Sequence, residues 1–370
     1  MNILILNWRD IKNPESGGAE ILTHEIAKGL VKMGHQVTLM SSFFKNAHEE
    51  EVLDGVKIIR EGHTNFRFLF SSVHFRAFKY YLKNKNGIDL VVDEIHGMPF
   101  FTPLYVGKKS VVLICEVASD LWIKMFGPFL GFFGMLLEKF YFRFIYKNTS
   151  FMTISNSTKM ELLKEGINSR NITILPIGVT IPRKIIKKKK EKNPTLIFAG
   201  RLLKSKGIED AIFSLKILSE DLPKLKLWII GRGNEEYLQE LKNLVKKEKL
   251  EKKIIFWGFV SNSKKFELMA RAWILIFPSI KEGWGLTVPE AASQGTPTIA
   301  YDVCGLRDVV VEGVNGFKVE KNNTSELARK ILELIRNKSL YKKLQISSKK
   351  SSLIYNWINT VKAVSEVIEK

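Results

Sequence analysis

Short runs of aliphatic residues, each followed by a stretch with helical periodicity, recur along nearly the whole of this 370-residue chain. Apolar runs of strand length alternating with 3.6-period segments build parallel sheets with helices on their faces, so the alternation confines the chain to the α/β class. In the first half the strands read as ILIL at 3–6, QVTLM, GIDLVVDEI and SVVLIC, and EILTHEIAKGLVKMG reads as an amphipathic helix ending at Gly34. The alternation stops at RKIIKKKKEKNP, a charged stretch after Pro182 with the composition of a linker. It restarts with TLIFAG, a helix from Ile208, KLWIIG, KIIFWGF, WILIFPS, a helix after Glu290, and TPTIAYD. The expected organisation is two doubly wound, Rossmann-like α/β domains: 1–182, a basic linker at 183–193, 194–351, and a terminal segment 352–370.

Charge is distributed unevenly over that plan. The net charge is +20, of which residues 1–182 carry +4 and residues 183–370 carry +16. Such a field attracts a phosphorylated small molecule, an acidic membrane surface or nucleic acid, and a lysine-rich, solvated surface has the same composition. Cys115 and Cys304 are the only cysteines. Their spacing supports neither a disulfide framework nor a thiolate zinc site and fits a reducing compartment. The start MNILILNWRD enters a strand directly, with no basic stretch and apolar cleavage segment, so the expected location is the cytoplasm.

One segment departs from the alternation. LWIKMFGPFLGFFGMLLEKFYFRFIY at 121–146 contains ten aromatic residues, and its longest uncharged run, Met125 to Leu137, is 13 residues. A bilayer span needs about 20, and Pro128 and three glycines weaken a helix. The segment is instead expected to lie flat in a membrane interface, with Trp122 and the phenylalanines in the acyl boundary and Lys124, Lys139 and Arg143 near lipid phosphates, or else to pack on the first domain.

Three constellations carry candidate chemistry. PESGGAE at 14–20 follows the first strand and opens a helix, giving a glycine loop that lets backbone approach a ligand. In AGRLLKSKGIEDAI at 199–212, Arg201 and Lys206 flank a helix entry at the carboxyl end of a strand, where two fixed cations suit a diphosphate. In KEGWGLTVPEAASQG at 281–295, a loop carboxylate, Glu282, and a helix-start carboxylate, Glu290, bracket a glycine turn. Eight residues apart on one helix they would diverge by about 80°, so a loop-plus-helix arrangement accounts for them better. Carboxylates accept hydrogen bonds from sugar hydroxyls, and free N–H groups at a helix start face a phosphate.

With GGAE, GRLLKSKG, FPSIKEGWGLTVPEAASQGTPTIA and VVVEGVNGFKV in this order, the chain resembles the GT-B glycosyltransferases of family 4, the retaining, glycogen-synthase-like group with a glutamate–seven residues–glutamate signature. The resemblance covers nearly the whole chain and is densest at 196–320. It implies two Rossmann-like domains facing a common cleft, with the C-terminal helix crossing back to the first. It implies that Gly17 and Gly18 contact the donor phosphates and that Arg201 and Lys206 neutralise the diphosphate leaving group. Glu282 then meets the transferred sugar's hydroxyls, Gly283, Trp284, Gly285 and Leu286 supply backbone contacts to sugar and phosphate, and Glu290 binds the ribose. Where relatives carry a sugar-contacting histidine after the strand VVLI, this chain has Cys115 and Glu116 in LICEVASD. His96, in DEIHGMPFFTP at the end of the preceding strand, is the candidate for the same task, the alternative being an ordinary loop histidine.

The expected activity is transfer of a sugar from a nucleotide diphosphate donor to a saccharide or lipid-linked acceptor in glycan biosynthesis, with retention at the anomeric carbon. No cofactor and no metal are expected: the chain has no D-x-D sequence, and cations stabilise the leaving diphosphate. The partners expected are the nucleotide sugar, the acceptor and, through 121–146, the inner face of the cell membrane. A GT-B protein that binds sugar nucleotides without transfer is the alternative. A 2-epimerase is disfavoured by the GRLLKSKG and EGWGLTVPE pairing. Nucleic-acid binding is disfavoured because no aromatic–basic RNA-binding motif occurs.

Overall fold

The computed structural model describes residues 1–64, 70–182 and 188–369, and the side chain of Met125 is not described. Two compact units are present, one formed by Met1–Gly178 with Asn356–Lys370 and the other by Val179–Tyr355. Of the expected linker, 183–187 lie outside the described residues.

The first unit opens with β1 (Asn2–Leu6), α1 (Gly18–Lys32), β2 (Gln36–Ser41), β3 (Glu50–Leu53), β4 (Val56–Arg60) and α2 (Val73–Asn84). It continues through β5 (Leu90–Ile95), β6 (Ser110–Ile114), α3 (Leu121–Phe140), β7 (Ser150–Thr153), α4 (Asn156–Lys164) and β8 (Ile172–Ile174). The eight strands order as β3-β4-β2-β1-β5-β6-β7-β8, parallel except for the antiparallel β3–β4 pair. Asp54 and Gly55, at φ 52° and 85°, make that hairpin's two-residue turn. Positive φ at both positions is the type I′ geometry that matches strand twist.

The second unit contains β9 (Thr195–Ala199), α5 (Ile208–Ile217), β10 (Lys226–Ile230), α6 (Glu235–Lys247), β11 (Ile254–Gly258), α7 (Asn262–Arg271) and β12 (Ile274–Phe277). It closes with α8 (Thr287–Ser293), β13 (Thr298–Tyr301), α9 (Leu306–Val309), β14 (Gly316–Val319), α10 (Thr324–Arg336) and α11 (Lys338–Ser352). Its sheet is parallel throughout, ordered β11-β10-β9-β12-β13-β14. Every residue of β9 and β12 is buried, as continuous apolar strands covered on both faces should be. Lys190 donates to Ala272 O and Thr296 Oγ1, both at 2.6 Å, so this part of the charged stretch is tied to the unit's core. Burial lowers its pKa to about 7.

The chain ends with α12 (Trp357–Ile368), which belongs to the first unit. It packs on α1 so closely that a Cβ on Gly29 would lie 2.2 Å from a Val361 methyl, and Thr360 Oγ1 donates to Pro176 O at 2.7 Å.

The aromatic segment, expected to lie flat in an interface or to pack on the first domain, forms a bent helix whose far end, Tyr141, Phe142 and Tyr146, lies in the first unit's core. Within α3, Gly127 is non-helical, at φ 79° and ψ 172°. A Cβ on Gly131 would lie 2.3 Å from Ile123 Cα, and one on Gly134 would lie 2.5 Å from the Trp122 ring. Residues eight apart on a straight helix are separated by about 12 Å along the axis. The chain therefore folds back on itself at Gly127, and the glycines that weaken a helix form the contact between its two arms.

Candidate active site

In a doubly wound sheet the ligand-binding crevice lies at the carboxyl ends of the strands where the strand order reverses. In the second unit the reversal falls between β9 and β12, and the loops that leave those two strands carry Arg201 and Lys206 on one side and Glu282 on the other. Lys206 ends a 3-10 turn, Lys204–Lys206, and is followed by Gly207 at φ 65°. A Cβ there would sit 2.1 Å from Pro278 O, so only glycine permits this approach of the two loops. Ile280 N donates to Ser205 O at 3.0 Å across the same junction.

That junction brings Lys206 Nζ onto Glu282 Oε1, an ion pair whose side chains are only 15% and 12% exposed. Ser279 Oγ donates to the same carboxylate oxygen at 3.1 Å. Glu290, on α8, forms an ion pair at 2.7 Å with Lys265 of α7. Each signature glutamate thus carries its own lysine. The turn between them is shaped by Gly285 at φ 99°, where a Cβ would meet Leu306 Cδ2 at 2.7 Å, and by Gly305, where one would meet Glu282 O at 2.4 Å. The Trp284 indole points inward, edge-on to Tyr355 at 5.1 Å, while Gly283 and Leu286 are partly exposed beside it. Arg201 is exposed. At the ends of the neighbouring β10 and β11, the Arg232 guanidinium lies 4.0 Å over the Phe259 ring. Phe259 is 70% exposed, offering a flat apolar face at the same sheet edge.

The first unit has its own reversal, between β1 and β5, and a polar cluster occupies it. Glu94 is buried and accepts from Asn7 Nδ2 at 2.7 Å and Thr23 Oγ1 at 2.5 Å, and its other oxygen is 3.0 Å from His96 Nε2. Trp8 stacks on His96 at 5.2 Å and donates from Nε1 to Glu20 at 3.2 Å. Glu20 in turn accepts the Gly17 N–H at 2.6 Å, so a carboxylate caps the glycine loop, and Gly18 begins α1. Burial alone would lower the His96 pKa. The hydrogen bond to Glu94 and the charges of Glu94, Glu20 and Glu116 outweigh it and hold the pKa above its ordinary value. Cys115 is buried, and burial pushes its thiol well up, so it stays protonated; Glu116 beside it is partly exposed.

The fold agrees with comparisons to known proteins. The family described as "Glycosyl transferases group 1" matches residues 181–351, and "Glycosyltransferase Family 4" matches residues 16–183. An uncharacterized glycosyltransferase of Methanocaldococcus jannaschii is 30% identical over 282 residues, covering 73% of this chain and 70% of the relative. The chain belongs to the glycosyltransferases. Its fold is GT-B. Sucrose-phosphate synthase from Thermosynechococcus elongatus superposes with a TM-score of 0.81 at 18% identity, covering 100% of this chain and 98% of the other. Anabaena HepE, solved in complex with UDP-glucose, superposes at 0.76 and 17% identity over 100% and 99%.

Sequence reasoning about this glycosyltransferase named both glutamates, Arg201 and Lys206, and the structure brings Lys206 and Glu282 together. It did not name Ser279, Lys265, Phe259, Trp8, Glu20 or Glu94. A lone serine or lysine has no local signature, and Lys265 lies 25 residues before its partner Glu290. Glu94 sits next but one to His96 and directly after Asp93, and two adjacent carboxylates at the end of an apolar strand are a signal that pointed to the cluster.

Proposed function

We propose that this glycosyltransferase moves a sugar from a nucleotide diphosphate donor to a saccharide or lipid-linked acceptor in glycan biosynthesis, with retention of anomeric configuration and without a metal. The observation that carries the reading is the Lys206–Glu282 pair, 76 residues apart in sequence and joined at the reversal point of the second sheet. Departure of a diphosphate concentrates negative charge, and preorganised cations that need no reorganisation are the strongest means of stabilising it. Arg201 and Lys206 hold that charge. Glu282, oriented by Ser279, accepts from hydroxyls of the transferred sugar, and Glu290, oriented by Lys265, accepts from the ribose. The turn at 283–286 faces sugar and phosphate with its backbone. In the first unit, Gly17 and Gly18 approach the donor phosphates and His96 the sugar, in place of the histidine that Cys115 and Glu116 lack. Anabaena HepE's complex with UDP-glucose supports a nucleoside diphosphate sugar as donor. The aromatic segment 121–146 supports peripheral contact with the inner face of the cell membrane, where a lipid-linked acceptor resides.

The deciding experiment measures nucleoside diphosphate release from a panel of sugar nucleotides in EDTA, with and without a membrane extract. Release from one donor, increased by the extract, is expected. Glu282→Gln should lower turnover far more than nucleotide affinity, and Lys206→Ala should lower both. Binding without release from any donor, or equal and small effects of the two substitutions, overturns the assignment.

A further inference from the structure

The two arms of α3, 121–126 and 128–140, meet at a sharp turn whose surroundings are the most apolar exposed surface of the first unit. Phe126 and Phe132 are about half exposed, Leu130 is 63% exposed and Phe129 is 74% exposed. Phe129 and Phe133 pack edge to face at 5.2 Å, and Trp122 stacks on Phe126 at 5.6 Å, so the rings form one surface. Isolated exposed phenylalanines need no explanation, but a contiguous cluster of them does.

At its other end the hairpin is anchored. Glu138 accepts from the N–H groups of Ala118 and Ser119 at 2.9 and 2.6 Å, and Tyr141 Oη donates to Gly97 O at 2.6 Å. Tyr141, Phe142 and Tyr146 are wholly buried in the unit's core. The face on which the arms meet is closed by Gly131 and Gly134, leaving the turn as the free end. The cations lie toward the anchored end: Lys139, Arg143 and Lys147 are exposed, while the adjacent Glu138 is buried. Lys124 of the short arm is paired with Asp120 at 3.0 Å.

We infer that this hairpin is a wedge that enters an anionic lipid surface by its turn, Phe126 to Phe133, while Lys139, Arg143 and Lys147 stay at the headgroups. Ten helical residues separate Phe129 from Lys139, about 15 Å of axis, close to half of a hydrocarbon core about 30 Å thick. A tilted wedge therefore reaches the roughly 5–10 Å depth of interfacial anchors without crossing, and the Lys124 stem can extend its ammonium back to the surface. Among the described residues no helix is long and apolar enough to cross a membrane. The inference rests on the membrane-facing reading proposed above and adds the direction of entry and the lipid charge.

The test uses the full chain and vesicles of phosphatidylcholine with or without phosphatidylglycerol. A polarity-sensitive dye is placed at Phe129→Cys, Phe140→Cys or Lys147→Cys, with the wild-type chain, labelled at its own Cys304, as background. Binding should require phosphatidylglycerol and weaken with salt, and the dye should shift most at 129, less at 140 and not at 147. Phe129→Asp, at an exposed turn where folding is not at stake, should weaken partitioning about tenfold, since burying such a ring in an apolar phase is worth at least that factor. Equal shifts at 129 and 140 would mean a helix lying flat. Absence of binding to either vesicle, with self-association that Phe129→Asp abolishes, would mean that a second copy covers the face. Either result overturns the wedge. Donor release measured on the same preparations separates this failure from failure of the transferase reading.

Discussion

Replacing Gly207 by alanine tests whether the close approach of the β9 and β12 loops is what builds the donor site. The residue is at φ 65°, and its new methyl carbon would lie 2.1 Å from Pro278 O. An ordinary carbon–oxygen contact is about 3.3 Å, so the loops must part by roughly 1.2 Å. The left-handed backbone costs an alanine about 1–2 kcal/mol, and relieving such an overlap typically costs about 1–3 kcal/mol more. At about 3 kcal/mol in a unit of this size, the melting temperature should fall by roughly 6–12 °C. Activity should suffer more, because the displaced oxygen belongs to the residue preceding Ser279 and the loop that carries Glu282. A misplacement of about 1 Å at a reacting centre can cost about 10²-fold in rate. Gly34→Ala supplies the control: φ is 93°, yet a Cβ there meets no atom within 4 Å. It should lose about 1–2 kcal/mol of stability from backbone strain alone and leave donor release unchanged. If Gly207→Ala releases diphosphate within threefold of the wild type, the loop junction does not set the geometry of the site and the reasoning fails.

Lys265→Met removes the cation from Glu290 and should weaken nucleoside diphosphate affinity about tenfold, roughly 1.4 kcal/mol, with Lys265→Arg restoring most of it; calorimetry on the three proteins decides, and an unchanged affinity in Lys265→Met would remove Lys265 from the site. His74 stacks on Phe100 at 4.3 Å, and burial lowers its pKa to about 4. Because the folded chain resists protonating it, stability should decline as pH falls from about 6.5 towards 4, by up to about 3 kcal/mol at 1.36 kcal/mol per pH unit. The urea midpoint of His74→Phe should lack that part of the slope, and an identical slope in both proteins would contradict it.

The repeated strand–helix alternation was legible because parallel strands covered on both faces need continuous apolar runs, as β9 and β12 show. Glu282, Glu290, Arg201 and Lys206 were legible because glycines and charged residues cluster locally around each of them. What the sequence concealed depends on contacts between distant segments. Lys265 is one of several lysines in SKK and similar runs, and only the packing of α7 beside α8 singles it out. The Asp54–Gly55 pair is a strong hairpin signal, but the strands flanking it are short and partly polar and were passed over. In 121–146 the composition marks an aromatic, cationic segment, but the reversal of its helix at Gly127 is not written in it. Three glycines weaken a helix wherever they occur, and that two of them close a contact between folded-back arms appears only in three dimensions.

Strand register sets the cysteine at position 115 beside His96. β5 and β6 pair in parallel with Ile95 opposite Ile114, so His96 and Cys115 are the next residues out along adjacent strands. Strands in a sheet are about 4.8 Å apart, hence an imidazole at 96 starts one strand spacing from where the resemblance expects one. The two positions are not chemically equivalent. The thiol at 115 is kept neutral by burial, whereas Glu94 holds the pKa of His96 above its usual value. His96→Ala should then lower kcat/KM for transfer by about 10- to 100-fold, the worth of a charge-assisted hydrogen bond of about 1.5–3 kcal/mol. Cys115→His should change little by itself and recover part of the loss when added to His96→Ala, because it returns an imidazole to the neighbouring strand. If the imidazolium is the active form, activity should persist above pH 6.5 and fall as pH rises through the raised pKa. Proton uptake by His96 contributes stability with the same sign, present below about 6.5 and lost above the raised value, provided Glu94 is ionised; burial raises the Glu94 pKa as well, so the pair is lost again towards acid pH. An undiminished kcat/KM in His96→Ala would return His96 to the status of a loop histidine and leave the first unit's polar cluster a structural one.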